Sequence, residues 1–159
     1  MANAINKTIR ETAANGCDAG ESAYDAAIVY ADRGVLSIRS FASWTCEGAA
    51  HPDAGPGSLN FLLATGEAWD PIGDLADQDA FRELCGKAIA AASPHAKDPD
   101  ACDSDGYAES ITVAPDGLVI EGFYPHVCGA FDDFSVWLPW AKVRPFCKPG
   151  SELAKLAGS

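Results

Sequence analysis

Trp44-Thr45-Cys46-Glu47-Gly48-Ala49-Ala50-His51-Pro52, followed by Leu59-Asn60-Phe61-Leu62-Leu63-Ala64-Thr65-Gly66-Glu67, is the stretch on which the fold reading turns. A strand enters a bend of small residues carrying one histidine, and a second strand returns and stops at a Thr-Gly-Glu turn. Working back, 35–46 sets Leu36, Ile38, Ala42, Trp44 and Cys46 on one face, with Ser37, Arg39, Ser43 and Thr45 opposite. That period of two marks a strand covered on one side, so Cys46 is expected to face the core. Residues 26–30 read as a shorter strand ahead of the Asp32-Arg33-Gly34 turn. Between His51 and Gly57, the residues Pro52, Gly55, Pro56 and Gly57 indicate a loop, so the returning strand is expected over 58–64.

Outward from this hairpin, Asn3 can cap a helix over 4–15 with Ile5, Ile9 and Ala13 on one face and Gly16 as its stop. Residues 77–92 carry the strongest helical stripe, through Phe81, Leu84, Cys85, Ala88 and Ile89. Asp77, Asp79 and Glu83 lie near its start, where carboxylates suit the helix dipole. Segments 111–113 and 118–124 flank the turn Ala114-Pro115-Asp116-Gly117, and 134–138 reads as a closing strand. Pro139 can then open a short helix reaching Phe146. Hairpins with helices set apart predict an α+β fold, with a mostly antiparallel sheet, a central amphipathic helix and short terminal helices. The sheet is expected to pack on the 77–92 helix through Phe81, Leu84 and Ile89.

The 159 residues suit a single domain spanning 1–159, and 48% hydrophobic residues suffice for a core. A net charge of -12 argues against nucleic acid and favours basic partners. There is no apolar run of roughly 20 residues, so direct membrane insertion of this segment is not expected. Met1-Ala2-Asn3 shows no charged-then-apolar leader, and the expected parent is a protein whose signal or anchor lies elsewhere.

Cys17, Cys46, Cys85, Cys102, Cys128 and Cys147 are even in number and form no C-x-x-C pair. His51, His95 and His126 are not at zinc spacing, so disulfides are expected instead of a metal, and with them a periplasmic or extracellular location. Sequence leaves many pairings open. Cys85–Cys102 is taken first, since closing that loop contributes about 3 kcal/mol, with Cys46–Cys128 and Cys17–Cys147 as the remaining guess.

Three groups look capable of chemistry or binding. His51 beside Asp53 and Glu47 has the composition of an acid–base group, yet Ser58 lacks a Gly-x-Ser-x-Gly elbow, and the plainer role of His51 is to hold the bend. Asp98, Asp100, Asp103, Asp105 and Glu109 surround Gly106, but Ala101 and Thr112 occupy calcium-loop positions that require acids. A solvated acidic loop is expected there, with no metal and no cofactor. Among the aromatics, Trp44, Trp137, Trp140 and Tyr124 lie in or beside strand patterns that suggest core, whereas Trp69 and Phe131 lie in loops. Phe131-Asp132-Asp133 joins an aromatic to two acids and suits a basic protein surface. The expected binding surface combines 51–57 with 131–133, as recognition loops at strand ends commonly do.

The order of these pieces resembles a known family. Gly48-Ala49-Ala50-His51 resembles its Gly-Gly-Ala-His hairpin, with Ala49 at the second glycine. Asp70-Pro71-Ile72-Gly73-Asp74-Leu75 resembles the loop entering its central helix. Residues 111–124, with Asp116-Gly117-Leu118 in the turn, resemble its glycine-leucine hairpin. Gly129, Val136-Trp137-Leu138-Pro139-Trp140 and Val143-Arg144-Pro145-Phe146 resemble its closing strand and proline-led helix. The family is the RsiV-like / PdaC-like extracytoplasmic domain, a domain of unknown function found in a lysozyme-sensing anti-sigma factor and a peptidoglycan deacetylase. The likeness covers about Ile5 to Pro149. It implies a non-enzymatic cell-envelope module recognising lysozyme or peptidoglycan, and it supplies no catalytic role for His51. The alternative is an accessory or cryptic peptidoglycan hydrolase. A family strand ahead of the first helix has no counterpart here, so an open sheet edge is expected. Six cysteines differ from the Gram-positive members and point to a Gram-negative periplasm.

Overall fold

The computed structural model describes residues 2–13, 20–48, 53–92, 107–123 and 133–158. They belong to two compact units, Met1–Trp69 and Asp70–Ser159. Each unit holds a three-stranded antiparallel sheet, and with the helices this makes an α+β protein.

In the first unit, helix α1 (Ala2–Ala13) precedes β1 (Gly20–Asp32), β2 (Val35–Cys46) and β3 (Asp53–Leu62), paired in the order β1-β2-β3. The β1–β2 turn has Arg33 at φ 49° and Gly34 at φ 82°. A type I′ turn needs this left-handed geometry at both central positions, which glycine adopts freely and arginine at some cost. The Arg33 amide also donates to Asp32 Oδ1 at 2.7 Å. β1 runs well beyond the expected 26–30 and carries a register shift between Ile28 and Tyr30. Its first residue must be glycine, because a Cβ on Gly20 would lie 2.0 Å from the Thr45 carbonyl oxygen.

β3 begins at Asp53, so the expected loop over 51–57 is corrected from that residue onward. The strand pairs antiparallel with β2 from Trp44↔Asp53 to Val35↔Leu62, as the hairpin reading required. Pro56 is tolerated because β3 is an edge strand, where the missing amide donor faces no partner. On one face Leu36, Ile38 and Phe61 bury against Ile5 of α1, with Ile9, Leu59 and Leu63 packed around them. On the other face Tyr30, Ser37 and Asn60 form a buried row across all three strands, and the Ser37 hydroxyl donates to Asn60 Oδ1.

In the second unit, a 3-10 turn (Pro71–Asp74) leads to α2 (Gln78–Ala92). Next come β4 (Tyr107–Ala114), β5 (Gly117–Phe123), β6 (Asp133–Pro139), α3 (Trp140–Val143), a 3-10 turn (Arg144–Phe146) and α4 (Glu152–Ala157). Asp77 caps α2 by accepting from the Ala80 amide at 2.9 Å. Phe81, Cys85 and Ile89 recur every four residues as the buried stripe of α2, which packs on β6. Leu84, expected in that stripe, is only half-buried. Two three-stranded sheets stand where one was expected: in the first unit the apolar cluster joins the sheet to α1, and in the second α2 packs on β6. Inward from the second sheet come Val113, Leu118, Ile120, Phe134, Val136 and Leu138, and the Phe81 and Phe146 rings meet edge to face at 5.9 Å. Trp140 fastens the β4–β5 turn: its indole donates to the Pro115 carbonyl at 3.1 Å and its amide to the Asp116 carbonyl at 3.0 Å.

Candidate functional site

The residues expected to bind are distributed over both units. His51, Phe131 and Asp132 lie outside the described residues. Asp53 opens β3 opposite Trp44, and Asp133 opens β6 opposite Phe123, so both belong to strands and not to the loops where they were expected. Trp69 is half-buried, with its amide donating to the Asn60 carbonyl at 2.8 Å, which ties this loop tryptophan to the back of β3.

The cysteine framework needs correction. Cys85 and Cys147 are free thiols, which removes the Cys85–Cys102 and Cys17–Cys147 pairings and the expectation that all six pair. Cys85 lies on the inward face of α2 between Phe81 and Ile89, and burial pushes its thiol up to about 11. The Cys147 thiol donates to the Val143 carbonyl at 3.6 Å, and burial followed by the Asp74 charge raises its pKa. Cys85 behaves as a small apolar residue of the core, whereas Cys147 is half-buried. Cys46 is half-buried and is not among the free thiols; Cys17, Cys102 and Cys128 lie outside the described residues.

Asp70-Pro71-Ile72-Gly73-Asp74-Leu75 proves to be a structural clasp. Asp70 Oδ1 accepts from the Ile72 amide at 3.0 Å, and Pro71 fixes the first turn. Asp74 Oδ2 accepts from the Leu153 amide at 3.1 Å, meeting an unpaired donor at the start of α4. The Lys148 ammonium donates to the Gly73 carbonyl at 2.7 Å, and Leu75 bridges to Cys147. At the other end of α4 the Arg144 guanidinium donates to the Ala157 carbonyl at 2.6 Å.

The exposed apolar groups are ones the sequence reading did not select. Ile28 is 66% exposed, Val29 39%, Phe41 41% and Trp137 52%. Trp137, expected in the core, is out of phase with Phe134, Val136 and Leu138, and its indole lies across Gly117, where a Cβ would come within 2.8 Å of Nε1. Phe41 is likewise out of phase with Leu36, Ile38 and Trp44 and sits between Asp25 and Pro56 on adjacent strands. Strand alternation alone would have exposed both rings. On the same sheet face as Trp137, Ser110, Thr112 and Glu121 are buried, with no partner for the two hydroxyls among the described residues. A depression of about 280 Å³ beside α1 is lined in part by Asn3, Asn6, Lys7, Arg10 and Glu11, and Lys7 pairs with Glu11 at 3.6 Å. Among the described residues no group of three or more His, Cys, Asp or Glu is placed to hold a metal ion, and no helix is long and apolar enough to cross a membrane.

No family model and no curated protein sequence matches the chain. Two crystal structures are similar to it. A DUF3298 family protein from Pseudomonas aeruginosa PAO1 superposes with a TM-score of 0.60 at 12% identity, over 84% of this chain and 64% of its own. A member of the DUF3298 family from Bacteroides fragilis superposes with a TM-score of 0.63 at 10% identity, over 97% of this chain and 64% of its own. The chain thus spans less than two thirds of either neighbour's length. At such identities the likeness establishes the fold.

Proposed function

We propose that the chain is a non-enzymatic binding domain of the cell envelope, located in the periplasm or outside the cell, that receives a basic protein. Lysozyme is the sharpest candidate ligand, and peptidoglycan is the alternative within the same class. The observation carrying this reading is a net charge of -12 on a fold shared with DUF3298 proteins. Such a charge draws in a basic partner and disfavours anionic ones. The resemblance of the Asp70–Leu75 and Val136–Phe146 segments to the lysozyme-sensing family gives further support. With Cys85 and Cys147 free, the envelope location rests on that resemblance more than on the cysteine count.

Titration calorimetry with hen-type lysozyme at low and moderate salt tests the reading. The expected result is binding that weakens as salt rises, because screening shortens to about 10 Å at 0.1 M. An absence of heat at both salts would remove lysozyme, and failure to co-sediment with isolated peptidoglycan would remove that alternative, leaving the binding class to be tested with other basic proteins. Asp132→Asn with Asp133→Asn should slow association and flatten its salt dependence, whereas Phe131→Ala should speed dissociation.

A further inference from the structure

Among the described residues β1 is an edge strand of 13 residues, with Tyr30 buried, Tyr24 half-buried and the others exposed. The opposite edge of the same sheet is blunted by Pro56 and by the Phe61↔Ala68 bridge along β3. β1 has neither device. Its sequence, Gly20-Glu21-Ser22-Ala23-Tyr24-Asp25-Ala26-Ala27-Ile28-Val29-Tyr30-Ala31-Asp32, holds no proline, lysine or arginine. Its guards are the irregularity between Ile28 and Tyr30 and three acids, which leave residues 20–28 a regular edge that repels acidic strands and admits a basic one.

The side chains specify which strand. Glu21 pairs with Thr45, Asp25 with Phe41 and Asp32 with Val35, so all three acids share one sheet face. Arg39, on the same face opposite Ala27, stands one strand further in. Ile28, opposite Ile38, belongs to the other face and is largely exposed. A strand added outside β1 would therefore meet carboxylates on one side and an uncovered isoleucine on the other. A twofold pairing of two copies through β1 would bring both sets of carboxylates onto one face without a cation between them, which disfavours self-association.

We infer that the outer edge of β1 is a docking site for an extended peptide segment of a partner protein, with lysine or arginine alternating with apolar residues. Main-chain hydrogen bonds to β1 hold the segment, its basic side chains face Glu21 and Asp25, and its apolar side chains cover Ile28. The inference is independent of whether lysozyme is the ligand.

The test uses the full chain and two synthetic probes, a peptide of alternating Lys and Val and its Glu-Val counterpart, followed by fluorescence anisotropy. The Lys-Val peptide should bind at least about tenfold tighter, and the double variant Glu21→Lys with Asp25→Lys should invert that preference. Both substituted positions are exposed, so the variant should fold. Amide exchange on the wild-type protein supplies the second readout, with new protection expected along 20–28 when the Lys-Val peptide is bound. Equal binding of the two peptides, binding of neither, a preference unchanged by charge reversal, or protection confined to other strands would each overturn the inference. So would a dimer of the free protein held through β1.

Discussion

The sheet β4-β5-β6 and the sheet β1-β2-β3 have the same strand count, and each opens with a hairpin closed by a two-residue turn, yet they use their strands differently. In the former every strand sends an alternating apolar row inward, from Val113, from Leu118 and Ile120, and from Phe134, Val136 and Leu138. In the latter β2 and β3 contribute Leu36, Ile38 and Phe61 to a core, while β1 buries Tyr30, half-buries Tyr24 and displays its other residues. Equal topology therefore does not mean equal burial. One sheet anchors its unit, and the other holds a strand in place while leaving its edge available.

Substitutions on the two sides should separate by energy. Phe81→Ala, which removes a fully buried ring packed on Phe146, should cost about 3–5 kcal/mol in urea unfolding. A loss below about 1 kcal/mol would mean that the second unit is not the anchored one.

The next effect is a pH dependence. The Cys85 thiol ionises near 9.0 when unfolded and at about 11 when folded, so between these values the folded chain holds the extra proton. Stability is therefore whole below pH 9 and falls as pH rises towards 11, by about 2–3 kcal/mol. Cys147 shifts in the same direction. Denaturation midpoints measured across this window should decline, and Cys85→Ala should remove most of the decline.

Smaller changes are expected at the clasp and on the half-buried side of α2. Asp74→Ala leaves the Leu153 amide without its acceptor and should cost about 1 kcal/mol, read as a lower urea midpoint with unchanged slope. Leu84→Ala should cost about 1 kcal/mol, because the side chain is only half-buried; the full 2–5 kcal/mol of a buried leucine would place it back in the core. Phe41→Ala should change stability by no more than about 0.5 kcal/mol, and a larger loss would show that the Phe41 ring itself is packed after all.

Much of this architecture was legible in the residues. β2 was readable to its ends because Leu36, Ile38 and Trp44 alternate with polar groups, and the Arg33-Gly34 turn fixed its start. α2 was readable from Phe81, Cys85 and Ile89, with Asp77 at its cap. The first half of β1 was not, since Gly-Glu-Ser-Ala carries little strand propensity and forms through pairing with β2. The start of β3 was masked by Pro56 and its glycines, which an edge strand accepts. α4 was missed because its six residues depend on the Ser151 cap, the Asp74 carboxylate and the Arg144 guanidinium, contacts distant in sequence or too short to show a period. The division into two sheets was also hidden, because hairpin patterns do not say which strands share a sheet. The binding loops were chosen by composition, whereas the exposed rings of Phe41 and Trp137 could have been found from strand phase.

The measurement that bears most directly on this contrast is residue-resolved native-state amide exchange of the free protein. The outward amides of β1 should exchange through local opening, at least about a hundredfold faster than the amides of Leu118 and Ile120 in β5, which should wait for global unfolding. Equal protection along β1 and β5 would contradict the account, because it would mean that the β1 edge is already covered.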